Sequence, residues 1–135
     1  MRGLAIALIA SALAACATAP EPMTRSAEAE AHLNKLLAGR TAGRPMTCLP
    51  SWRSDDMVTI DDNTVVFKDG RRVYRNDFRD GGCDRLGAGN YALLTKSTST
   101  NLCSGDIAQV IDTANGFTVS SCVLGDFVPY DTARR

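Results

Sequence analysis

Five cysteines give this chain its widest choice of chemistry. A cysteine thiolate can attack a substrate or bind a metal ion, and two cysteines can form a disulfide. An odd number in an exported protein indicates that one cysteine has a separate role. One stands alone near the N-terminus, and the other four follow at separations of 35, 20 and 19 positions: Cys16, then Cys48, Cys83, Cys103 and Cys122.

The first cysteine ends a short apolar segment. Arg2 precedes an uninterrupted run of apolar and small residues over positions 4–15, LAIALIASALAA. The run is too short to span a bilayer, which needs about 20 such residues, and it is typical of a secretory signal peptide. Its end, LAAC at positions 13–16, resembles the lipobox of bacterial lipoproteins. The resemblance implies that residues 1–15 are a signal peptide and that Cys16 is the lipid attachment residue.

The lipobox interpretation also predicts where the protein is located. Several acyl chains anchor a protein firmly to a membrane, so the membrane is its first expected partner. The residue after Cys16 is Ala17 and not an aspartate, which by resemblance to Gram-negative lipoproteins favours the outer membrane. We therefore expect a cell-envelope protein that faces the periplasm. The alternative is an ordinary signal peptide with Cys16 as a bystander.

The remaining four cysteines would enter an oxidising compartment, where two disulfides are the default. They contain no C-x-x-C pair, which disfavours a zinc site and a redox protein with one labile disulfide. Of the three pairings, we favour Cys48–Cys122 with Cys83–Cys103, because the first would join the opening strand to the last. The second choice is Cys48–Cys83 with Cys103–Cys122. We predict no metal and no cofactor.

Residues that could act in catalysis do not form a recognisable set. His32 is the only histidine, and it lies on a predicted helix near the N-terminal tether, where it has no evident nucleophile to activate. Ser104 lacks the G-x-S-x-G context of a nucleophile elbow. We expect Asp106 to accept hydrogen bonds from backbone amides in a turn. Asp126, which also follows a glycine, has the same interpretation.

Two pairs of adjacent carboxylates, Asp55-Asp56 and Asp61-Asp62, are candidates for glycoside hydrolysis or calcium binding. Glycosidase carboxylates face each other across the scissile bond, whereas neighbouring residues on a strand point to opposite faces. The EF-hand pattern is also absent. We therefore expect these residues in turns.

Arginines cluster around one predicted hairpin beside two aromatic residues, Tyr74 and Phe78. Arginine can hold phosphate or carboxylate groups through paired hydrogen bonds. An anionic envelope component, such as lipopolysaccharide, phospholipid or peptidoglycan, is therefore a candidate ligand. The alternative is a solvated hairpin neutralised by nearby aspartates. The candidate anion-binding residues are Arg71, Arg72 and Arg75.

The charge balance argues against nucleic acid as a partner. The chain has 15 basic and 15 acidic residues. Removal of residues 1–15 takes away Arg2 and leaves 14 against 15, whereas nucleic-acid binders usually carry a basic excess. The sequence does not predict the oligomeric state.

One helix and several short strands must position these side chains. Ser26 as a cap, Glu28 and Glu30 in the first turn, and helically spaced leucines predict a helix from Ala27 to Ala38. An Asp-Gly pair at positions 69–70 predicts a hairpin. We expect six strands near 57–60, 64–67, 71–78, 91–96, 107–113 and 117–130, with an interruption of the last at Gly125.

These elements predict a mainly β fold, a small antiparallel sheet or barrel of about six strands with one N-terminal helix covering an open edge or end, stapled by disulfides. The expected divisions are a signal peptide (1–15), a lipid-anchored tether (16–24), a helix and link (25–44) and a small β domain (45–131).

Three stretches together carry a family resemblance: VYRNDF, LCSGDIAQVID and SCVLGDFVPY, preceded by TCLP. They resemble an uncharacterised family of small cysteine-containing proteobacterial envelope proteins, a domain of unknown function. The resemblance covers about residues 42–130. It implies that the four later cysteines correspond to the family's recurring cysteines, and it brings no activity.

We therefore expect a non-catalytic, periplasm-facing envelope lipoprotein that acts as a binding or structural module for an unknown ligand. The alternative is an accessory enzyme, or an inhibitor, acting on the cell wall or on envelope hydrolases. That alternative requires polar side chains, such as Asp106 and Asp126, to converge on one concave site.

Replacing the proposed lipid-bearing residue tests the delivery mechanism. Cys16→Ser should abolish incorporation of radiolabelled fatty acid and move the protein from the membrane fraction to the soluble fraction, because the sulfur that carries the lipid is gone. Metabolic labelling followed by fractionation measures both. Labelling that persists in the variant would contradict the lipobox interpretation.

Overall fold

The computed structural model of the protein describes residues 24–50, 56–97 and 99–133. The signal peptide, Cys16 and almost all of the tether lie outside these residues, as does Asp55. Within the described residues, one α-helix, α1 (Ala27–Leu37), precedes eight strands. These are β1 (Arg40–Ala42), β2 (Met57–Thr59), β3 (Thr64–Asp69), β4 (Arg72–Asp77), β5 (Tyr91–Lys96), β6 (Ile107–Asp112), β7 (Thr118–Val123) and β8 (Phe127–Thr132). A short 3-10 helix at Leu86–Ala88 lies between β4 and β5.

The predicted mainly β fold with one N-terminal helix is confirmed. The strands form two antiparallel sheets instead of a barrel: a five-stranded sheet in the order β1-β8-β4-β3-β2 and a three-stranded sheet in the order β5-β6-β7. Strands β4 and β8 are neighbours, with Asn76 opposite Phe127. Residues 78–126 therefore leave the five-stranded sheet, form the other sheet and return. We call this segment the excursion.

Local sequence signals explain the helix and its position. The Ser26 hydroxyl accepts a hydrogen bond from the Ala29 amide at 3.2 Å, which satisfies a backbone donor at the helix start. Helix α1 buries Ala29 and Leu33 against Val66 and Val73 of the five-stranded sheet. The prediction that the helix covers an edge or end is wrong: it covers one face, because those valines point away from the other sheet.

The predicted Asp-Gly hairpin joins β3 to β4. Asp69 pairs with Arg72, which leaves Gly70 and Arg71 as the two-residue loop. Gly70 has φ +59°, a conformation that glycine adopts without the steric cost of a Cβ. The opposite face of this hairpin packs against the three-stranded sheet. The shared core includes Val65, Phe67, Tyr74 and Phe127 from one sheet and Ala108, Val110 and Cys122 from the other.

Two differences raise the strand count from six to eight. The predicted link contains β1, which pairs with β8 at the edge of the sheet. The predicted sixth strand is two strands, β7 and β8, which belong to different sheets. The chain passes between the sheets at Gly125, where a Cβ would collide with the carbonyl oxygen of Asp77.

A buried asparagine holds this crossing. The Asn76 side-chain nitrogen donates to the Gly125 carbonyl at 2.7 Å, and its oxygen accepts from the Gly125 amide at 3.1 Å. Asn76 is fully buried. Its amide group therefore replaces the backbone pairing that Gly125 loses between the two sheets.

Both disulfides are present, but their predicted pairing is wrong. The pairs are Cys48–Cys103 and Cys83–Cys122, with Cα atoms 4.0 and 5.1 Å apart. The first pair meets because the chain around Cys48 runs beside the chain before β6, with the Leu49 amide donating to the Leu102 carbonyl at 2.9 Å. Cys83 reaches β7 because residues on both sides of it contact that strand: the Arg79 amide donates to the Val123 carbonyl at 2.9 Å, and the Ser120 hydroxyl donates to the Asp84 carbonyl at 2.8 Å. The separations between the cysteines in the sequence give no information about these contacts.

The crossing predicts a stability effect. Asn76→Ala should lower the free energy of unfolding by about 2 to 3 kcal/mol, because it leaves the Gly125 amide and carbonyl buried without partners. Asn34→Ala, on the exposed surface of α1, is the control and should change it by less than about 0.5 kcal/mol. Urea unfolding measures both. Equal effects would contradict the role of Asn76.

Candidate functional site

The two Gly-Asp carboxylates that could have formed a catalytic pair have different surroundings. The Asp106 carboxylate accepts a hydrogen bond from the Cys103 amide at 2.8 Å, which confirms its predicted role in a turn. Asp126 does not have that role. It is exposed at the sheet crossing and lies 3.7 Å from the guanidinium of Arg79.

The chain segments around these aspartates nevertheless meet. The Gly105 amide donates to the Leu124 carbonyl at 2.9 Å, and the Leu124 amide donates to the Asp106 carbonyl at 3.0 Å. The Arg79 guanidinium also donates to the Ser104 hydroxyl at 2.6 Å. A guanidinium has no acceptor for a proton, so it cannot activate that serine as a nucleophile. The arrangement fastens two loops together.

Asp61 and Asp62 point in different directions from one turn, as expected for neighbouring residues. Asp61 lies 2.6 Å from the Arg25 guanidinium and accepts from the Asn63 amide at 2.8 Å. Asp62 accepts from the Gly87 amide at 2.7 Å. The two carboxylates therefore connect the turn to the helix on one side and to the excursion on the other.

Arg25 was not identified from the sequence as a central residue. Its guanidinium binds Asp61, the Thr64 hydroxyl and, at 3.2 Å, Glu30. Burial lowers the pKa of Arg25, but the hydrogen bond and charge of Asp61 outweigh it and leave the pKa above its ordinary value. Arg25 therefore stays charged and joins the helix start to β3. The only feature of the sequence that could have indicated this role is the position of Arg25 directly before the capping residue Ser26.

His32 lies on α1, as predicted, and its side chain is exposed. It borders a surface depression of about 290 Å³ that Glu28, Asp61, Asp62 and Gly87 also line. Within residues 24–50, 56–97 and 99–133, no three His, Cys, Asp or Glu side chains are grouped so that they could hold a metal ion. Asp56, the described member of the other acidic pair, directly precedes β2 and is half-buried.

The three candidate anion-binding arginines do not converge on one site. Arg72 and Arg75 lie on β4 three positions apart, so they point to opposite faces of the sheet. Arg72 binds Asp131 through two hydrogen bonds, of 2.5 and 2.9 Å, and this pairing raises the pKa of Arg72 above its ordinary value. Arg75 pairs with Asp77 at 3.0 Å. Arg71, in the hairpin loop, borders a surface depression of about 390 Å³ together with Arg72 and Asp131.

The three-stranded sheet carries a feature that the sequence did not single out. Its inner side packs on the five-stranded sheet, whereas its outer side exposes large apolar side chains. Ile107 is 55% exposed and Leu94 is 47% exposed. We call this surface the outer face, and its exposed apolar residues, with Phe117 beside it, are Leu94, Ile107, Phe117 and Val119.

A groove runs beside the outer face, between β2 and β5. It has a volume of about 370 Å³ and is lined by Met57 and Thr59 of β2 and by the five β5 residues from Tyr91 to Thr95. Both strands are edges of their sheets. The groove therefore lies along two rows of backbone groups that have no neighbouring strand among the described residues.

Comparisons of the chain with protein-family models, curated proteins and solved structures found no match. The family resemblance suggested by the cysteine-containing motifs therefore stays a prediction. Among the described residues, no helix is long and apolar enough to cross a membrane.

The exposure of the cysteines predicts the order in which the disulfides are reduced. Cys83 and Cys122 are 0% and 5% exposed, whereas Cys48 and Cys103 are only half-buried. Because a reductant must reach the sulfur, mild phosphine treatment of the folded protein should open Cys48–Cys103 first. Alkylation and peptide mass mapping over time measure the order. Simultaneous opening, or Cys83–Cys122 opening first, would contradict it.

Proposed function

We propose that the protein is a non-catalytic binding module of the bacterial cell envelope. A lipid on Cys16 would hold it at the membrane, more specifically at the outer membrane, with the domain facing the periplasm. The proposal rests on the lipobox-like sequence LAAC, on two disulfides that suit an oxidising compartment, and on the outer face.

The observation that carries the binding role is the concentration of exposed apolar residues. All large apolar side chains that are exposed in the described chain lie on or beside the three-stranded sheet. Exposed apolar side chains that gather on one surface of a domain are candidates for contacts with a partner. The same strands bury Ala108, Val110 and Cys122 on their inner side. The packing of that inner side holds the strands, and so the outer face, in place.

The composition of the outer face indicates the type of contact. The residues opposite Leu94 on the neighbouring strands are Gln109 and Ser121, and Lys96 is opposite Ile107. Such a surface has one charge among apolar and small polar side chains. It suits a protein partner that is recognised by apolar contact and hydrogen bonds.

Position-specific crosslinking in cells tests this role. A photoreactive amino acid at Val119 should crosslink to a partner, whereas the same amino acid at Asn34 on the exposed side of α1 should not. Adding Ile107→Glu should remove the Val119 crosslink, because a partner that covers the outer face would have to desolvate the new carboxylate. Urea unfolding of the Ile107→Glu protein should stay within about 0.5 kcal/mol of wild type, since the site is exposed.

The outcome that would contradict the proposal is equally specific. Crosslinks of equal intensity from Val119 and Asn34, or a Val119 crosslink that Ile107→Glu leaves unchanged, would show that the outer face is not a recognition surface.

A further inference from the structure

We propose that β5 accepts an extended peptide segment of a partner protein as an added strand, and that this segment carries an acidic residue at each end. The proposal deepens the binding role described above and rests on it. Its elements are a regular open strand edge, a groove beside that edge, and a cation at each end of it.

Strand β5 differs from the other sheet edges. The two described sheets have four edge strands, β1, β2, β5 and β7. Strands β1 and β2 have three residues each, and the pairing of β7 with β6 is interrupted by a register shift at Val110/Ile111. Short or bulged edges resist pairing with another chain. Strand β5 has six residues in unbroken register with β6, from Tyr91 opposite Asp112 to Lys96 opposite Ile107.

The backbone of β5 is available for pairing. In an antiparallel ladder, alternate residues direct their N–H and C=O groups toward the neighbouring strand, and the others direct them away. Among the described residues, the ladder with β6 is the only backbone pairing of Tyr91–Lys96. About half of its backbone groups therefore face the groove side, where a further strand would lie about 4.8 Å away.

The groove gives such a strand a place for its side chains. Its lining includes Met57 of β2 and both Leu93 and Tyr91 of β5. Alternate side chains of an added strand would point into this mostly apolar depression, and the remaining ones would extend the outer face beside Leu94. This arrangement selects a segment with apolar residues at every second position, as in peptide recognition by strand addition.

The size of the surface favours a peptide over a second copy of the chain. Three strands about 4.8 Å apart, with six residues rising about 3.4 Å each, cover only a few hundred Å² including side chains. A stable protein dimer buries about 800 Å² on each subunit. A short strand needs less area because backbone hydrogen bonds contribute to its affinity.

Charges at the ends of β5 select the flanking residues of the peptide. Lys96 stands at one end, and Arg85 lies at the other, where its guanidinium donates to the Tyr91 hydroxyl at 3.3 Å. Neither cation forms an ion pair with the described residues. A central segment of about six extended residues covers the roughly 17 Å of β5 between these ends, so one acidic residue flanking that segment on each side would lie near a cation.

Amide hydrogen exchange tests the proposal with a defined probe. The protein as purified would be mixed with the synthetic peptide acetyl-EVTVTVTE-amide, and with acetyl-KVTVTVTK-amide as the matched control. At a concentration ten times its Kd, the acidic probe should slow exchange about tenfold at the outward-facing amides of β5. These are every second residue of Tyr91–Lys96. The lysine-flanked peptide should have a much smaller effect.

Charge reversal gives a second readout. Lys96→Glu should remove most of the preference for the acidic probe over the lysine-flanked one. Lys68→Glu, on an exposed residue of β3, is the matched control and should leave the preference unchanged.

Several results would overturn the proposal. These are no protection with the acidic probe at about 1 mM, protection that does not alternate along β5, and alternating protection that appears without peptide as the protein is concentrated. The last would assign the edge to a second copy. If the probe fails while the Val119 crosslink persists and still depends on Ile107, only the strand-addition proposal falls and the binding role stands.

Discussion

The side-by-side pairing of β4 and β8 is the constraint on which the rest of the structure depends. It forces the excursion, residues 78–126, to leave the five-stranded sheet and come back to an adjacent position. Asn76 holds the return point through both backbone groups of Gly125. The Cys48–Cys103 disulfide joins the excursion to the chain before β2. The Cys83–Cys122 disulfide links two parts of the excursion to each other.

This fastening explains how so small a domain can present an apolar surface. One side of the three-stranded sheet is committed to a core shared with Phe67, Tyr74 and Phe127. The other side and the β5 edge can then face a partner without loss of the packing that orders them. Carboxylates that might have acted in catalysis serve the same fastening. Asp62 binds the Gly87 amide, and Asp106 binds the Cys103 amide.

Local signals in the sequence were sufficient for the elements that form by local interactions. Ser26 and the acidic first turn identified α1, and the Asp-Gly pair identified the β3–β4 hairpin. The disulfide pairing, the three-residue β1 and the change of sheet at Gly125 depend on contacts between distant segments, which spacing does not encode. The outer face was missed for a related reason. Alternation in β5 and β6 shows that two faces differ, but only the packing shows that Leu94 and Ile107 have no cover among the described residues.

Because they share a core, the excursion and the five-stranded sheet should unfold as one cooperative unit. Native-state hydrogen exchange at increasing denaturant tests it most directly, because it measures the opening free energy of each segment. We expect the slowest amides of β6 and of β4 to open with the same free energy and the same denaturant dependence. Slow amides in β4 combined with a much lower opening free energy throughout β6 would contradict it, because the three-stranded sheet would then unfold by itself.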